Sequence, residues 1–278
     1  IDSAEVWVQL DEDNGITVGA AWGDHGQGAD MGAVGTAHEA LKAMQIPVES
    51  VRFSWADSSK HPNCGPTGAE RSHVVVGGAI RVACEALLAA ARKPDGGYMT
   101  HAEMKEKGIE TRHHGSYSTD GVPCDPVTGL GKPFSVYLYC VHLVEVSVET
   151  ATGKVAIDRM VCAADVGKVG NRLLTDGQIY GSLAQGVGFA LSEQYEDVDK
   201  HDNLVGAGFP FISAVPDDLK IIYFQDNPRK YGAFGAAGVG EGITSSPHVA
   251  ILNGIRNACG ARITHLPASP EKVLAAMK

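Results

Sequence analysis

A chain of 278 residues, 44% of them hydrophobic, is long enough for one large domain or two smaller ones with cores of their own. Its 33 acidic residues against 23 basic give a net charge of −10, which argues against nucleic acid and against an anionic membrane surface, since both need clustered Lys and Arg. No run reads as a membrane span or a secretory signal, and the six scattered cysteines (Cys64, Cys84, Cys124, Cys140, Cys162, Cys259) contain no C-x-x-C pair, so a zinc or iron–sulfur site built by this segment alone is not expected. Free, mostly buried thiols in a reducing cytoplasm are the expectation. A chain that starts at Ile1 and enters a strand within a few residues reads as a piece of something longer.

Residues 5–10 alternate like a strand, 11–15 form a turn, and 16–22 read as a second strand, giving a hairpin. After a polar loop over 23–30, Met31, Val34, Ala37, Leu41 and Met44 mark one face of a helix that stops before Pro47. Residues 48–55 read as a strand, 57–68 as a polar loop, and 69–92 as a long Ala/Val-rich helix. A linker-like stretch at 93–97 and a short charged helix at 101–107 follow, and 117–132 read as a loop rich in Gly, Pro, Asp and Ser.

The second half repeats the plan. Residues 136–149 and 154–164 form a long hairpin around Thr150-Ala-Thr-Gly153. A polar loop, 165–172, leads to a helix expected to begin near Thr175, because Thr175-x-x-Gln178 fits a capping box ahead of Ile179, Leu183, Val187 and Leu191. Residues 218–224 are a short strand. Ile251, Leu252, Ile255 and Cys259 line a helix ending at Gly260, and Ser269-Pro270 start a last one. The fold class is therefore α+β: two α+β subdomains, 1–116 and 117–278, each a hairpin-containing sheet with helices packed on it.

Four glycine-bearing loops lead into helices: 23–30, 64–72, 165–175 and 235–241. Helix N-termini offer unpaired amides and a partial positive charge, so four in one chain suit a large anionic cofactor gripped at several points. None matches a Walker motif or the dinucleotide fingerprint. From the residues alone, Gly26-Gln27-Gly28 is either a tight turn with a solvated amide or a site where Gln27 donates to an oxo or phosphate oxygen. Glu241, in Gly235-Ala-Ala-Gly-Val-Gly-Glu241-Gly-Ile-Thr-Ser-Ser-Pro247, is either a carboxylate satisfied by neighbouring amides or a general base. Ser246-Pro247 then reads as a helix start.

Taken together, Gly26-Gln27-Gly28, Gly65-Pro-Thr-Gly-Ala-Glu-Arg-Ser72, Asp165-Val-Gly-Lys-Val-Gly-Asn171 and Gly238-Val-Gly-Glu-Gly242 resemble, in order, the loops of the molybdenum hydroxylases, the xanthine oxidase and aldehyde oxidoreductase family. The similarity is strongest to the aldehyde-oxidising branch of sulfate reducers, and it covers the whole chain but only the C-terminal, molybdenum-binding part of such enzymes. It implies molybdopterin cytosine dinucleotide as cofactor and Glu241 as the catalytic general base beside the molybdenum, in an oxidation of aldehydes to carboxylic acids with water as oxygen source. The metal is expected to be held through the pterin and by no side chain of this segment.

By the same resemblance Trp22, Gly23, Asp24, His25, Gly26 and Gln27 lie near the pterin. Thr67, Gly68, Ala69, Glu70, Arg71 and Ser72, with Asn171, Arg172, Leu173, Leu174 and Thr175, hold the phosphates and the cytosine end, while Ala237, Gly238, Val239 and Gly240 lead to the base. Upstream [2Fe–2S] domains, a first molybdenum domain, an external electron acceptor and a homodimer are implied; nucleic acid and membrane are not. Other readings are a sister hydroxylase acting on purines, other N-heterocycles or carbon monoxide, and a non-catalytic module that binds the cofactor.

Overall fold

The alternation of residues 3–10 buries Val6, Val8 and Leu10, and their strand is the seed of the first of two units. The structure, a computed structural model, describes residues 2–54 and 57–277. One unit comprises Ile1–Tyr137, Gly167–Leu174 and Gln225–Gly238; the other comprises Leu138–Val166, Thr175–Phe224 and Val239–Lys278.

In the first unit, β1 (Ser3–Leu10) pairs antiparallel with β2 (Ile16–Gly19) in the register Val8↔Val18 and Leu10↔Ile16. The second strand is shorter than its apolar run suggests. After Gly19 the N–H groups of Ala20 and Ala21 turn to the carbonyls of Ser54 and Pro62, so residues 20–22 leave the hairpin and become the start of a loop. Helix α1 (Ala29–Ala40) buries Val34 and Ala37 and leads to β3 (Val51–Ser54), which lies parallel to β2. Residues 48–50 form a 3-10 turn in place of the first part of the expected strand, and Trp55 lies outside the described residues.

Strand β4 (Arg112–Ser118) was not expected, yet it pairs antiparallel with β1 and completes the order β3-β2-β1-β4. Its pattern is hidden because its one buried residue is Gly115, where an added Cβ would sit 2.2 Å from the Ala79 carbonyl oxygen. The long helix over this sheet opens with a π-helical turn, Ser72–Val76, and continues as α2 (Gly77–Ala91). By length and composition Ser72–Ala91 is apolar enough to cross a membrane, against the expectation that no run reads as a membrane span. Val75, Val76, Ile80, Ala83, Cys84 and Leu87 are nevertheless buried against the sheet, which is the environment of a core helix. A short helix, α3 (His101–Glu106), carries a Thr100/Glu103 capping box.

In the second unit, β5 (Tyr139–Glu149) and β6 (Lys154–Asp165) form the long hairpin, and β7 (Leu219–Phe224) lies parallel to β6, giving the order β5-β6-β7. Both units therefore run hairpin, helix, then a strand parallel to the hairpin's second strand. The repeat in element order is a repeat in topology.

Helix α4 (Arg172–Leu191) begins three residues before the expected Thr175. Asn171 wins the N-cap position, its side-chain oxygen accepting the Leu174 N–H at 3.1 Å, and Thr175 falls inside the first turns. The end of the expected glycine loop is itself helical: α5 (Gly240–Thr244) begins within it. In α6 (Pro247–Cys259) Pro247 takes the first position and Gly260 the left-handed cap, as the sequence implies. Ser246, however, does not cap with its side chain; its Oγ lies 3.0 Å from His142 Nδ1. The last helix, α7 (Pro270–Ala276), is capped by Ser269.

Candidate functional site

Within the first unit the four glycine-bearing loops are joined in a ring. The loop after β2 is built around Asp24, whose Oδ1 accepts the N–H groups of Gly26 at 2.7 Å and Gly28 at 3.2 Å, while Oδ2 accepts that of Asp30 at 3.0 Å. Burial pushes the Asp24 pKa up, but the backbone donors of Asp30, Gly26 and Gly28 outweigh it and hold the carboxyl below its usual value. The Gln27 side-chain carbonyl accepts the His25 N–H at 2.7 Å, which turns that amide's NH₂ into its available end. Trp22 is buried, packs its ring 4.9 Å from that of Phe53, and has an indole N–H directed to the Asp30 carboxyl, where burial raises the pKa and this N–H acts to lower it.

The second loop is tied to the first by Thr67. Its hydroxyl donates to the Gly23 carbonyl at 2.9 Å and accepts the Gly23 N–H at 3.3 Å. Ala69 and Glu70 both take left-handed backbone angles, φ 46° and 63°, at a cost of about 1–2 kcal/mol each. Arg71 offsets that strain. Its guanidinium donates to both Asp2 carboxylate oxygens at 2.8 Å and to the carbonyls of Ser3, Cys64 and Pro66 at 2.7–2.8 Å. The guanidinium thus holds its own loop in place.

Glycine contacts close the ring. A Cβ on Gly238 would sit 2.2 Å from Glu70 Cβ, one on Gly167 2.2 Å from the Gly235 carbonyl oxygen, and one on Gly28 2.8 Å from Leu174 Cδ2. Gly167 also forms a bridge with Ala236, and Lys168 N–H donates to the Gly235 carbonyl at 3.0 Å. So loop one touches loop two at Gly23/Thr67, two touches four at Glu70/Gly238, four touches three at Gly235/Gly167, and three returns to one at Leu174/Gly28.

Elsewhere on the ring, Gly23, Gly26, Gly68 and Gly170 have no atom within 4 Å of where a Cβ would be. Backbone at these points borders open space, as close approach of a ligand requires. Together with the helix starts, these residues fit a phosphate-bearing pterin cofactor gripped mainly by main chain. Among the described residues no group of three or more His, Cys, Asp or Glu side chains is arranged to hold a metal ion.

Thr175, Val239, Gly240 and Glu241 belong to the second unit. Glu241 lies in the first turn of α5 and is exposed. Its carboxylate meets no hydrogen-bond partner among the described residues, so the alternative in which loop amides satisfy it does not hold. The sequence reading missed Ser182 and Gln178, which stand one turn apart on α4 and face Gly240. The polar stripe Thr175, Gln178, Ser182 and Gln185, at helical spacing along α4, was the available signal.

Because Asp24 organises its loop only when ionised, Asp24→Ala is expected to speed amide exchange at Gly26, Gly28 and Asp30 by at least roughly tenfold, each bond to a charged acceptor contributing about 1.5–3 kcal/mol. The same protection should be present above the ordinary carboxyl range in the unaltered protein. It should be lost only as pH falls through the depressed pKa of Asp24. Exchange followed by mass spectrometry across pH measures both.

Residues 1–216 match the family described as Molybdopterin cofactor-binding domain. Over 278 residues the chain is 54% identical to the aldehyde oxidoreductase of Megalodesulfovibrio gigas, covering 100% of this chain and 30% of that protein. It superposes with a TM-score of 0.96 on the solved aldehyde oxidoreductase of Desulfovibrio gigas, 54% identical, over 99% of this chain and 30% of that one. On the enzyme from Desulfovibrio desulfuricans the TM-score is 0.95 at 55% identity, with 100% and 30% covered. The chain thus spans 30% of the length of these relatives, and it belongs to the molybdopterin cofactor-binding domain family.

Proposed function

We propose that this chain is the C-terminal molybdopterin-binding part of a larger aldehyde oxidoreductase, cytoplasmic and homodimeric, which oxidises aldehydes to carboxylic acids with water as the oxygen source. The observation that carries the reading is the closed ring of four loops, in a chain 54% identical to an aldehyde oxidoreductase over its full length. The cofactor, as the cytosine dinucleotide, supplies the two-electron oxidation when bound. The chain supplies grip and proton transfer. Loops one and two offer main-chain donors around Gly23, Gly26 and Gly68 and the Gln27 amide to the pterin. The partial positive charge at the start of α4 favours phosphate. Glu241 takes the proton from water as its oxygen bonds to the aldehyde carbon. Electrons leave through [2Fe–2S] domains elsewhere in the longer protein to an external acceptor.

The test is made on that longer protein. Purified material should contain molybdenum, release cytidine phosphate on hydrolysis, and reduce an artificial acceptor with aldehydes. Turnover of purines or other N-heterocycles with none of aldehydes would replace the reading by that of a sister hydroxylase. Bound cofactor with no turnover of either would make the chain part of a cofactor-binding module.

A further inference from the structure

The turn that carries Glu241 is built with more care than a surface turn needs. Helix α5 is five residues long, too short to hold its own shape in water, and Glu241 sits in it between two glycines against which neighbouring side chains close in. A Cβ on Gly240 would meet Gln178 Oε1 at 2.9 Å, and one on Gly242 would meet Leu138 Cδ2 at 2.5 Å. The Gly240 carbonyl accepts from Ser182 Oγ at 2.9 Å and from Thr244 Oγ1 at 3.3 Å, and the Gly242 carbonyl accepts from Ser245 Oγ at 2.8 Å. Ile243 anchors the turn from below, fully buried. None of these groups touches the carboxylate.

Ser182 is the member that calls for a reason. It is 5% exposed, next to the fully buried Leu183 and one turn before the buried Gly186. A hydroxyl at such a position costs free energy unless it is paired, and alanine would suit the helix better. Among the described residues its only hydrogen bond is the one to the Gly240 carbonyl, the peptide immediately before Glu241.

We infer that Ser182 is a positioning residue for Glu241: it fixes the peptide that sets where the carboxylate points. The inference rests on the base role proposed above. A base works only within a few tenths of an ångström of the geometry its proton transfer needs, and Ser182 reaches it through one bonded peptide without contacting substrate or cofactor.

The test is Ser182→Ala in the complete cofactor-loaded protein, alone and combined with Glu241→Gln. We expect kcat for aldehyde oxidation to fall about tenfold with KM within twofold. In cofactor-free protein, amide exchange in residues 240–244 should rise about tenfold while the centre of α4 is unchanged. The double variant should be no slower than Glu241→Gln alone, because Ser182 acts only through Glu241. Unchanged kcat in Ser182→Ala, a further loss in the double variant, or loosening spread over the whole second unit would each overturn the inference. If Glu241→Gln itself keeps full turnover, the base role falls; if that variant is dead and Ser182→Ala is normal, only the positioning role falls.

Discussion

Replacing Glu241 by Gln in the longer, cofactor-loaded protein is expected to lower kcat for aldehyde oxidation by about two to four orders of magnitude, the range in which a positioned general base contributes. Glutamine keeps the shape and a hydrogen-bonding oxygen but has no basic site near neutral pH. Stability should hardly move, because the side chain is exposed and meets no partner among the described residues; substitutions of that kind usually stay within about 0.5 kcal/mol. Molybdenum and pterin content should also hold, since none of the contacts that close the loop ring involves residue 241. The discriminating result is therefore a split: full cofactor, unchanged melting temperature, and turnover nearly gone. Turnover near the unaltered level would remove Glu241 from the chemistry. A fall in cofactor content that matches the fall in rate would make it a binding residue instead.

Much of this was legible in the residues. Strands and helices whose buried faces are made of side chains announced themselves, as Val6, Val8 and Leu10 do on β1 or Ile251 and Ile255 on α6. Elements whose inner face is made of main chain did not. Strand β4 packs through Gly115, so its pattern offers no apolar alternation to read. The same blindness affected the site. The four loops could be picked out by their glycines, but the ring they form depends on what fills the space beside each glycine, and that is decided at long range. Arg71 shows the converse. The family resemblance placed its loop at the phosphates, and the positions of Asp2, Ser3, Cys64 and Pro66 show that its guanidinium is paired within the protein. Competition between local signals misplaced the start of α4, where Asn171 caps ahead of the Thr175 capping box.

Gly238→Ala tests whether the ring itself holds the cofactor, and it is expected to abolish retention of molybdenum and pterin. The added methyl would lie 2.2 Å from Glu70 Cβ and 2.3 Å from its Cγ, distances that no side-chain rotation of Glu70 relieves because Cβ is fixed to the backbone. Something must shift, and forcing a methyl into packed space costs about 1–3 kcal/mol. Glu70 is a poor place to absorb that shift: its backbone is already left-handed at φ 63°, beside Ala69 at φ 46°, and Arg71 pins the next residue through Asp2, Ser3, Cys64 and Pro66. The strain is therefore expected to open the Glu70/Gly238 junction and not to spread into the core of the unit. A melting temperature lowered by a few degrees, with cofactor content down at least roughly tenfold, is the predicted pair of readings; a cost of about 1 kcal/mol alone lowers the melting temperature of a chain this size by about 2–4 °C. Gly26→Ala is the informative control. Residue 26 has no atom within 4 Å of where the Cβ would go, but its φ of 103° disfavours any side chain, so that variant strains one loop without touching the junction between two. If Gly26→Ala loses cofactor and Gly238→Ala keeps it, the grip lies in the single loop after β2, and closure of the ring is not what holds the cofactor.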